Sequence, residues 1–262
     1  MLKDITMGQF FPGSSPLHRM DPRVKLVLLL CYIVILFLIH SPLSYAVMIV
    51  FLALVIASSK IAPKLIFKGM KPILFIIVFT AVLNLFCTSG QVVWHLGFLH
   101  ITKEGISLAI KMVLRITLLV TSSSMLTYTT SPIMLTDGIE SLLSPCKRFH
   151  FPVHEMAMMM SIALRFIPTL IEETEKIMNA QKARGADFES GSLLQRAKAM
   201  VPILIPLFIS AFRRADELAT AMECRLYRGD IGRTRLRQFT VTKVDYIACI
   251  LTAAVLTAAM LV

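Results

Sequence analysis

The chain has 262 residues, 56% of them hydrophobic and only 16% charged, with a mean hydropathy of +0.74 and a formal net charge of +11. Soluble domains carry about 25% charged residues, so the composition excludes an ordinary water-soluble globular protein. The cysteines Cys31, Cys87, Cys146, Cys224 and Cys249 are scattered without a Cys-x-x-Cys spacing, which leaves disulfide and zinc readings without support.

Four stretches carry no Asp, Glu, Lys or Arg: Leu26–Ser59, Pro72–Thr102, Ile116–Thr136 and Tyr246–Val262. A membrane-crossing helix needs about 20 apolar residues. The first stretch is too long for one helix, and His40-Ser41-Pro42 divides it. Five spans are therefore predicted near 25–40, 43–59, 72–88, 105–130 and 243–262. More than twenty largely polar positions precede the first span and no small-residue cleavage site follows it, so it does not read as a cleaved signal.

The positive charge is distributed by side. Lys3, Arg19, Arg23 and Lys25 precede the first span, and Lys60, Lys64, Lys68 and Lys71 follow the second. The intervening loops on the other side, His40-Ser41-Pro42 and Thr88–Glu104, hold Lys103 alone. Cytoplasmic loops collect Lys and Arg, which predicts a cytoplasmic N-terminus, a cytoplasmic region between the fourth and fifth spans, and an extracellular C-terminus. Residues 131–243 hold 16 of the 27 basic residues. The charge thus reports orientation in a cell membrane rather than affinity for nucleic acid. The expected division is 1–130 (N-terminal segment and four spans), 131–242 (cytoplasmic helices) and 243–262 (fifth span).

Within the cytoplasmic region, Ser131 with Pro132 in the next position predicts a helix start, and Ser144-Pro145 ends that short helix after Leu143. A long helix is predicted from Val153. Its apolar stripe reads Met156/Ala157, Met160, Ala163/Leu164, Ile167, Leu170/Ile171 and Ile177/Met178, at helical steps of three and four. Glu172, Glu173, Glu175, Lys176 and Asn179 form the opposite, polar face. A second long helix from about Ser192 carries Ala197, Val201, Leu204/Ile205, Phe208, Ala211/Phe212, Ala215, Leu218/Ala219 and Met222. Pro168 in the first helix, and Pro202 and Pro206 in the second, are expected to kink them.

Both helices run in phase to an arginine. Ala183-Arg184-Gly185 closes the first and Glu223-Cys224-Arg225 the second, 41 residues later. Each arginine is the last member of its apolar stripe, at the helix end where the dipole favours a cation. The phasing therefore places both on a face meant for burial and predicts that each is offered to an acid at the end of an apolar groove. The plainer reading pairs them with Asp187 and Asp230 at the surface, worth about 0.2–1 kcal/mol each. Two arginines in the same phase of consecutive helices favour the former.

The stretch from His154 to Phe188, HEMAMMMSIALRFIPTLIEETEKIMNAQKARGADF, closely resembles the transmembrane T component of energy-coupling factor (ECF) transporters. GQFFPGSSPLHRMDPRVKL at the N-terminus and TTSPIMLTDGIESLL after the fourth span resemble the same family, so the likeness runs along essentially the whole chain. It implies an all-α integral membrane protein with about five transmembrane helices and long amphipathic coupling helices between the fourth and fifth. It further implies a non-catalytic subunit of a vitamin or metal importer. Its partners would be two ATP-binding cassette ATPases, A and A′, and one small membrane S component, of an exchangeable kind, that binds the substrate.

The resemblance assigns ATPase coupling to Ala183, Arg184 and Gly185, and to Cys224, Arg225 and Leu226. The second set departs from the family pattern, which has Ala and Gly around the arginine. Leu226 does not cap as glycine does, so the helix is expected to run on towards Gly229, with Arg228 a second candidate behind Arg225. Met156, Met158, Met159 and Met160 form a flexible, polarizable surface suited to several partners, and are candidates for the S-component seat. Ordinary packing against the spans is the alternative.

Lys111 and Arg115 lie four apart on the fourth span, where a mid-membrane charge costs roughly 2.5–3.5 kcal/mol. An interior partner or a snorkelling position explains them more simply than an ion path, with Asn84 a polar candidate neighbour. His154-Glu155 is half of a zinc-protease pattern whose second histidine is replaced by Met158, and no metal or other cofactor is expected. No G-x-x-x-x-G-K-[ST] loop occurs, so ATP is not expected to bind this chain. The competing class is a membrane enzyme acting on a lipid or isoprenoid, which would need clustered acids; Asp137, Glu140, Asp187 and Asp216/Glu217 are too dispersed. A stand-alone secondary transporter would need inverted repeats with broken spans, which the pattern lacks.

Overall fold

The computed structural model describes residues 10–96, 99–149, 151–188, 192–229 and 239–261. The chain is almost entirely helical. It divides into two compact units, one of residues 8–138 with 238–262 and one containing residues 139–237.

The first unit holds the short α1 (Pro16–Arg19), then α2 (Pro22–Leu38), α3 (Pro42–Ser59), α4 (Pro63–Met70), α5 (Leu74–Cys87), α6 (Lys103–Thr129) and α10 (Lys243–Leu261). The helices α1 to α4 each begin on a proline, whose fixed φ suits a first turn. The core is formed by Tyr32, Leu36, Met48, Leu52, Leu118 and Leu256 from α2, α3, α6 and α10. Large apolar residues on the outer faces, such as Leu30, Leu54, Phe75 and Ile250, stay exposed, as lipid-facing positions require.

By length and composition α3, α6 and α10 can cross a bilayer, and α4 with α5 forms a fourth candidate bent by 61°. The 17-residue α2 sits at the short limit of about 17 residues. These correspond to the five expected spans, with one correction. The segment Lys60–Lys71, read as a loop, contains α4, whose Ile66 packs on Met125 and Tyr128. Pro72, which lacks an N–H and crowds the preceding turn, separates it from α5.

The loop Thr88–Glu104 holds an element that was not expected, an antiparallel pair of strands, β1 (Val92–Leu96) and β2 (Leu99–Thr102). Thr102 joins it to α6: its hydroxyl accepts from Gly105 N–H at 3.0 Å and donates to Thr88 C=O at 2.9 Å. The carboxylate of Glu104 accepts from Gln91 N–H at 2.7 Å.

Lys25, counted among the basic residues that precede the first span, is buried and donates to Thr129 C=O and Thr130 Oγ1, both at 3.1 Å. The C-terminal end of α6, where the dipole is negative, attracts the ammonium. Beside it Asp245, fully buried, accepts from Asp21 N–H at 2.9 Å, Thr242 N–H at 2.7 Å and Thr242 Oγ1 at 2.8 Å. This cluster ties the start of α2, the end of α6 and the start of α10.

The helix α7 (Pro132–Leu143) begins at Ser131, whose hydroxyl accepts from Met134 N–H at 3.3 Å. A 3-10 turn, Ser144–Phe149, follows. The second unit is dominated by α8 (Val153–Ala183) and α9 (Leu193–Cys224). Both are single helices through Pro168, Pro202 and Pro206. Ser192 and Gln195 form a capping box at the start of α9.

Composition alone would also let α9 cross a membrane. Its charge-free stretch, residues 199–212, is 14 residues long, about 21 Å of helix against about 30 Å of hydrocarbon. Arg196 and Lys198 precede this stretch and Arg213, Arg214, Asp216, Glu217 and Glu223 follow it within the same helix, whereas the charges of α2, Arg23 and Lys25, lie in its first turn alone.

Candidate functional site

Helices α8 and α9 end in the same backbone structure. After Ala183, the N–H groups of Gly185 and Ala186 donate to the carbonyls of Lys182 and Gln181, both at 3.0 Å. After Cys224, those of Leu226 and Tyr227 donate to Glu223 and Met222 at 2.9 and 3.0 Å. Each end is a Schellman motif, in which the terminal carbonyls are satisfied by a chain reversal through a left-handed residue. That residue is Gly185 at φ +88° in the first ending and Leu226 at φ +53° in the second.

The second helix therefore does not run on to Gly229, contrary to expectation. Two hydrogen bonds hold the reversal, while Leu226 adopts a conformation that costs an L-residue roughly 1–2 kcal/mol. Its side chain is 76% exposed.

Ala183, Arg184, Gly185, Cys224, Arg225, Leu226 and Arg228 are all exposed in the chain. Among the described residues, neither Arg184 nor Arg225 has an ion pair or a side-chain hydrogen bond. The surface pairing of Arg184 with Asp187 is not formed, and Asp230 lies outside the described residues.

The helices run antiparallel. Partway along, Glu173 of α8 accepts from Ser210 and from Arg214 Nη2 (2.9 Å) of α9. The Ser210 hydrogen bond first, and then Arg214, hold the Glu173 carboxyl below its ordinary value. At the start of α8, His154 Nε2 lies 3.5 Å from the Tyr227 hydroxyl. The Arg225 ending thus lies at the start of α8 and the Arg184 ending at its finish. With 31 residues in α8, the two are roughly 45 Å apart.

The apolar stripes need correcting. In α9 the face that packs within the chain carries Ile203, Leu207, Ser210 and Arg214, whereas Val201, Leu204, Ile205, Phe208 and Phe212 are exposed. Glu173, read as part of an outward polar face, turns to α9 because Ser210 and Arg214 are there to receive it. The early part of that stripe is consequently open in the chain, whereas Leu218 and Met222, nearest Arg225, are half-buried. Of the four methionines, Met156, Met159 and Met160 are exposed and Met158 is half-buried, while their neighbour Ala157 is buried.

Two further polar features resolve into structure. Arg115 donates to Tyr45 Oη at 3.0 Å and Ile39 C=O at 3.4 Å, and lies 5.3 Å over the Phe37 ring. It is held beside the α2–α3 turn, while Asn84 bonds within its own helix to Thr80 C=O. His154 pairs with Glu140 at 3.0 Å, a contact across 14 positions that sequence spacing did not reveal. No cluster of three or more His, Cys, Asp or Glu able to hold a metal occurs among the described residues. An apolar cavity between α2, α3, α6 and α10 is lined by residues such as Leu28, Phe51, Met125 and Leu251, with Lys25 its one charged member. The acids that an isoprenoid enzyme would need are not in it, and the membrane-enzyme alternative is unsupported.

Residues 13–236 match a family model described as "Cobalt transport protein". The chain is 55% identical over 257 residues to the energy-coupling factor transporter transmembrane protein EcfT of Ruminiclostridium cellulolyticum, covering 98% of this chain and 96% of that one. It is 56% identical to the EcfT protein of Acidaminococcus fermentans, covering 94% and 91%. The EcfT protein of Listeria innocua is 48% identical, with 90% of each chain covered.

Proposed function

Because this chain belongs to the EcfT family, the transmembrane proteins of energy-coupling factor transporters, we propose that its two arginine endings are separate docking points for two ATP-binding cassette ATPases. The matched Schellman endings carry this reading: each presents a guanidinium that has no ion pair among the described residues, at the two ends of α8, roughly 45 Å apart. ATP binding draws the ATPases together. The endings follow, the angle between α8 and α9 changes, and the motion passes to the membrane helices and to one bound S component. Hydrolysis takes place on the partners, and this subunit is non-catalytic.

In this reading Ala183, Arg184 and Gly185 form one grip and Cys224, Arg225 and Leu226 the other, with Arg228 subsidiary to Arg225. Met156, Met159 and Met160 contribute to the S-component seat, with Met158 behind them. Residues 1–130 and 243–262 supply the membrane part and 131–242 the cytoplasmic part. The N-terminus is cytoplasmic and the C-terminus extracellular. The cargo class is a vitamin or similar micronutrient, chosen by the S component.

Each grip must hold under load. Removing one partner of a buried ion pair costs about 3–5 kcal/mol, enough to release a lever. In vesicles containing the complete transporter, Arg184→Glu and Arg225→Glu are each expected to abolish ATP-driven uptake. Wild-type uptake in both variants would overturn the proposal.

A further inference from the structure

The two endings share a backbone but differ in the residue that follows the left-handed position. In the first ending it is Ala186; in the second it is Tyr227. The Schellman motif fixes Tyr227 by its backbone to the last turn of α9, through Met222 C=O at 3.0 Å. Its side chain meets a different helix: the hydroxyl lies 3.5 Å from His154 Nε2, in the first turn of α8. His154 Nδ1 in turn lies 3.0 Å from Glu140 Oε1, near the end of α7. Glu140 is buried and the His154 side chain is only 12% exposed.

The chemistry of the chain is directional. A carboxylate can only accept, so Nδ1 carries the proton facing Glu140, and in the neutral imidazole Nε2 accepts from the Tyr227 O–H. Side chains from α7, from α8 and from the reversal that follows α9 are thereby connected. At the first ending Ala186 offers a methyl group in place of the phenol and cannot make such a link. The strained Leu226 makes sense in this setting, because the reversal it allows is what delivers Tyr227 to His154.

We propose that Tyr227 is a positioning residue that, through His154 and Glu140, anchors the Arg225 ending to the base of α8 and the end of α7, a phenol link for which Ala186 in the Arg184 ending has no counterpart. The two grips are then mechanically unequal. The second moves with the base of α8 through this link, which the first does not share. This rests on the reading of the endings as ATPase grips for its functional consequence, but not for the anchoring itself.

The test uses the full chain in lipid nanodiscs, with a nitroxide spin label on Cys224 or on Ala183→Cys and every other native cysteine replaced by alanine. The Cys224 label should be the less mobile of the two. Tyr227→Phe, which removes one hydroxyl and keeps the ring, should raise its mobility towards that of the label at position 183 and leave the latter unchanged. Glu140→Gln and His154→Gln should act in the same direction, and Tyr227→Phe combined with His154→Gln should exceed neither single change. In the complete transporter, Tyr227→Phe should lower substrate moved per ATP by about two- to tenfold, as loss of one hydrogen bond permits. A Cys224 label indifferent to Tyr227→Phe, or effects that add in the double variant, would overturn the anchoring. Loss of ATPase docking in Arg225→Glu reads out separately, so the two proposals fail independently.

Discussion

Gly185 and Leu226 occupy the same position in two copies of one helix ending, 41 residues apart, both with positive φ. A glycine adopts this conformation without steric penalty and a leucine does not. The backbone requirement is therefore common to both endings, and only the side chain differs.

Leu226→Gly should relieve the left-handed strain and stabilise the second ending by about 1 kcal/mol. Hydrogen exchange at the Tyr227 amide, which is bonded to Met222 C=O, should slow in the full chain. Leu226→Val should do the opposite, since β-branching makes positive φ costlier. An amide that exchanges at the same rate in all three proteins would contradict the strain argument.

Glu173 makes the α8–α9 contact sensitive to acid. Its folded pKa lies below the ordinary value of 4.5, chiefly through the Ser210 hydrogen bond and then through Arg214. A depressed carboxyl pKa gives stability that is present above the unfolded value and is lost as pH falls through the folded one. The contact should be fully supported at neutral pH and weaken in strong acid, below the ordinary value. The unfolding temperature of the full chain in detergent should fall less steeply with acidification in Glu173→Gln than in the wild type.

Asp245 is the fully buried acid of the membrane unit. It accepts three hydrogen bonds, from Asp21 and Thr242, beside the buried Lys25. Asp245→Asn sets an NH2 group where an acceptor is needed and removes the charge facing Lys25. A buried donor left without its acceptor costs about 1–3 kcal/mol, which should appear as a clear drop in thermal stability in detergent. Asn at the exposed Asp216 should have almost no effect by the same assay.

Orientation can be read from native cysteines. Cys87 ends α5 and Cys224 ends α9, and both are exposed. The topology inferred from loop charge places them on opposite sides of the membrane. In single-cysteine proteins, an impermeant maleimide should label Cys87 in intact cells and Cys224 only after permeabilisation. The reverse pattern would invert the topology.

The spans were legible because charge-free apolar runs of about 17 residues or more are what a bilayer demands of a crossing helix and are rare in water-soluble chains. Helices α8 and α9 were legible because their apolar steps are regular. What escaped sequence reading was decided by contacts between distant residues. Lys25 reads as a flank until Thr129 and Thr130 supply its partners. His154 and Glu140 meet only because the 3-10 turn brings α8 back to α7. The exposed stripe of α9 has the correct period, but period cannot say whether a neighbouring helix or a missing partner covers it. Leu226 shows backbone hydrogen bonding overriding residue preference. The hairpin β1–β2 carried a weak signal, Val92-Val93-Trp94 and the Ile101-Thr102 pair around Gly97, within a stretch dominated by its lack of charge.

The most direct measurement of two separate grips is the number of ATPase subunits retained per copy of this chain, read by native mass spectrometry of the purified transporter. Arg184→Glu and Arg225→Glu should each lose one ATPase, and the double variant both, with the S component still bound. A full complement of ATPases on the double variant would contradict the account.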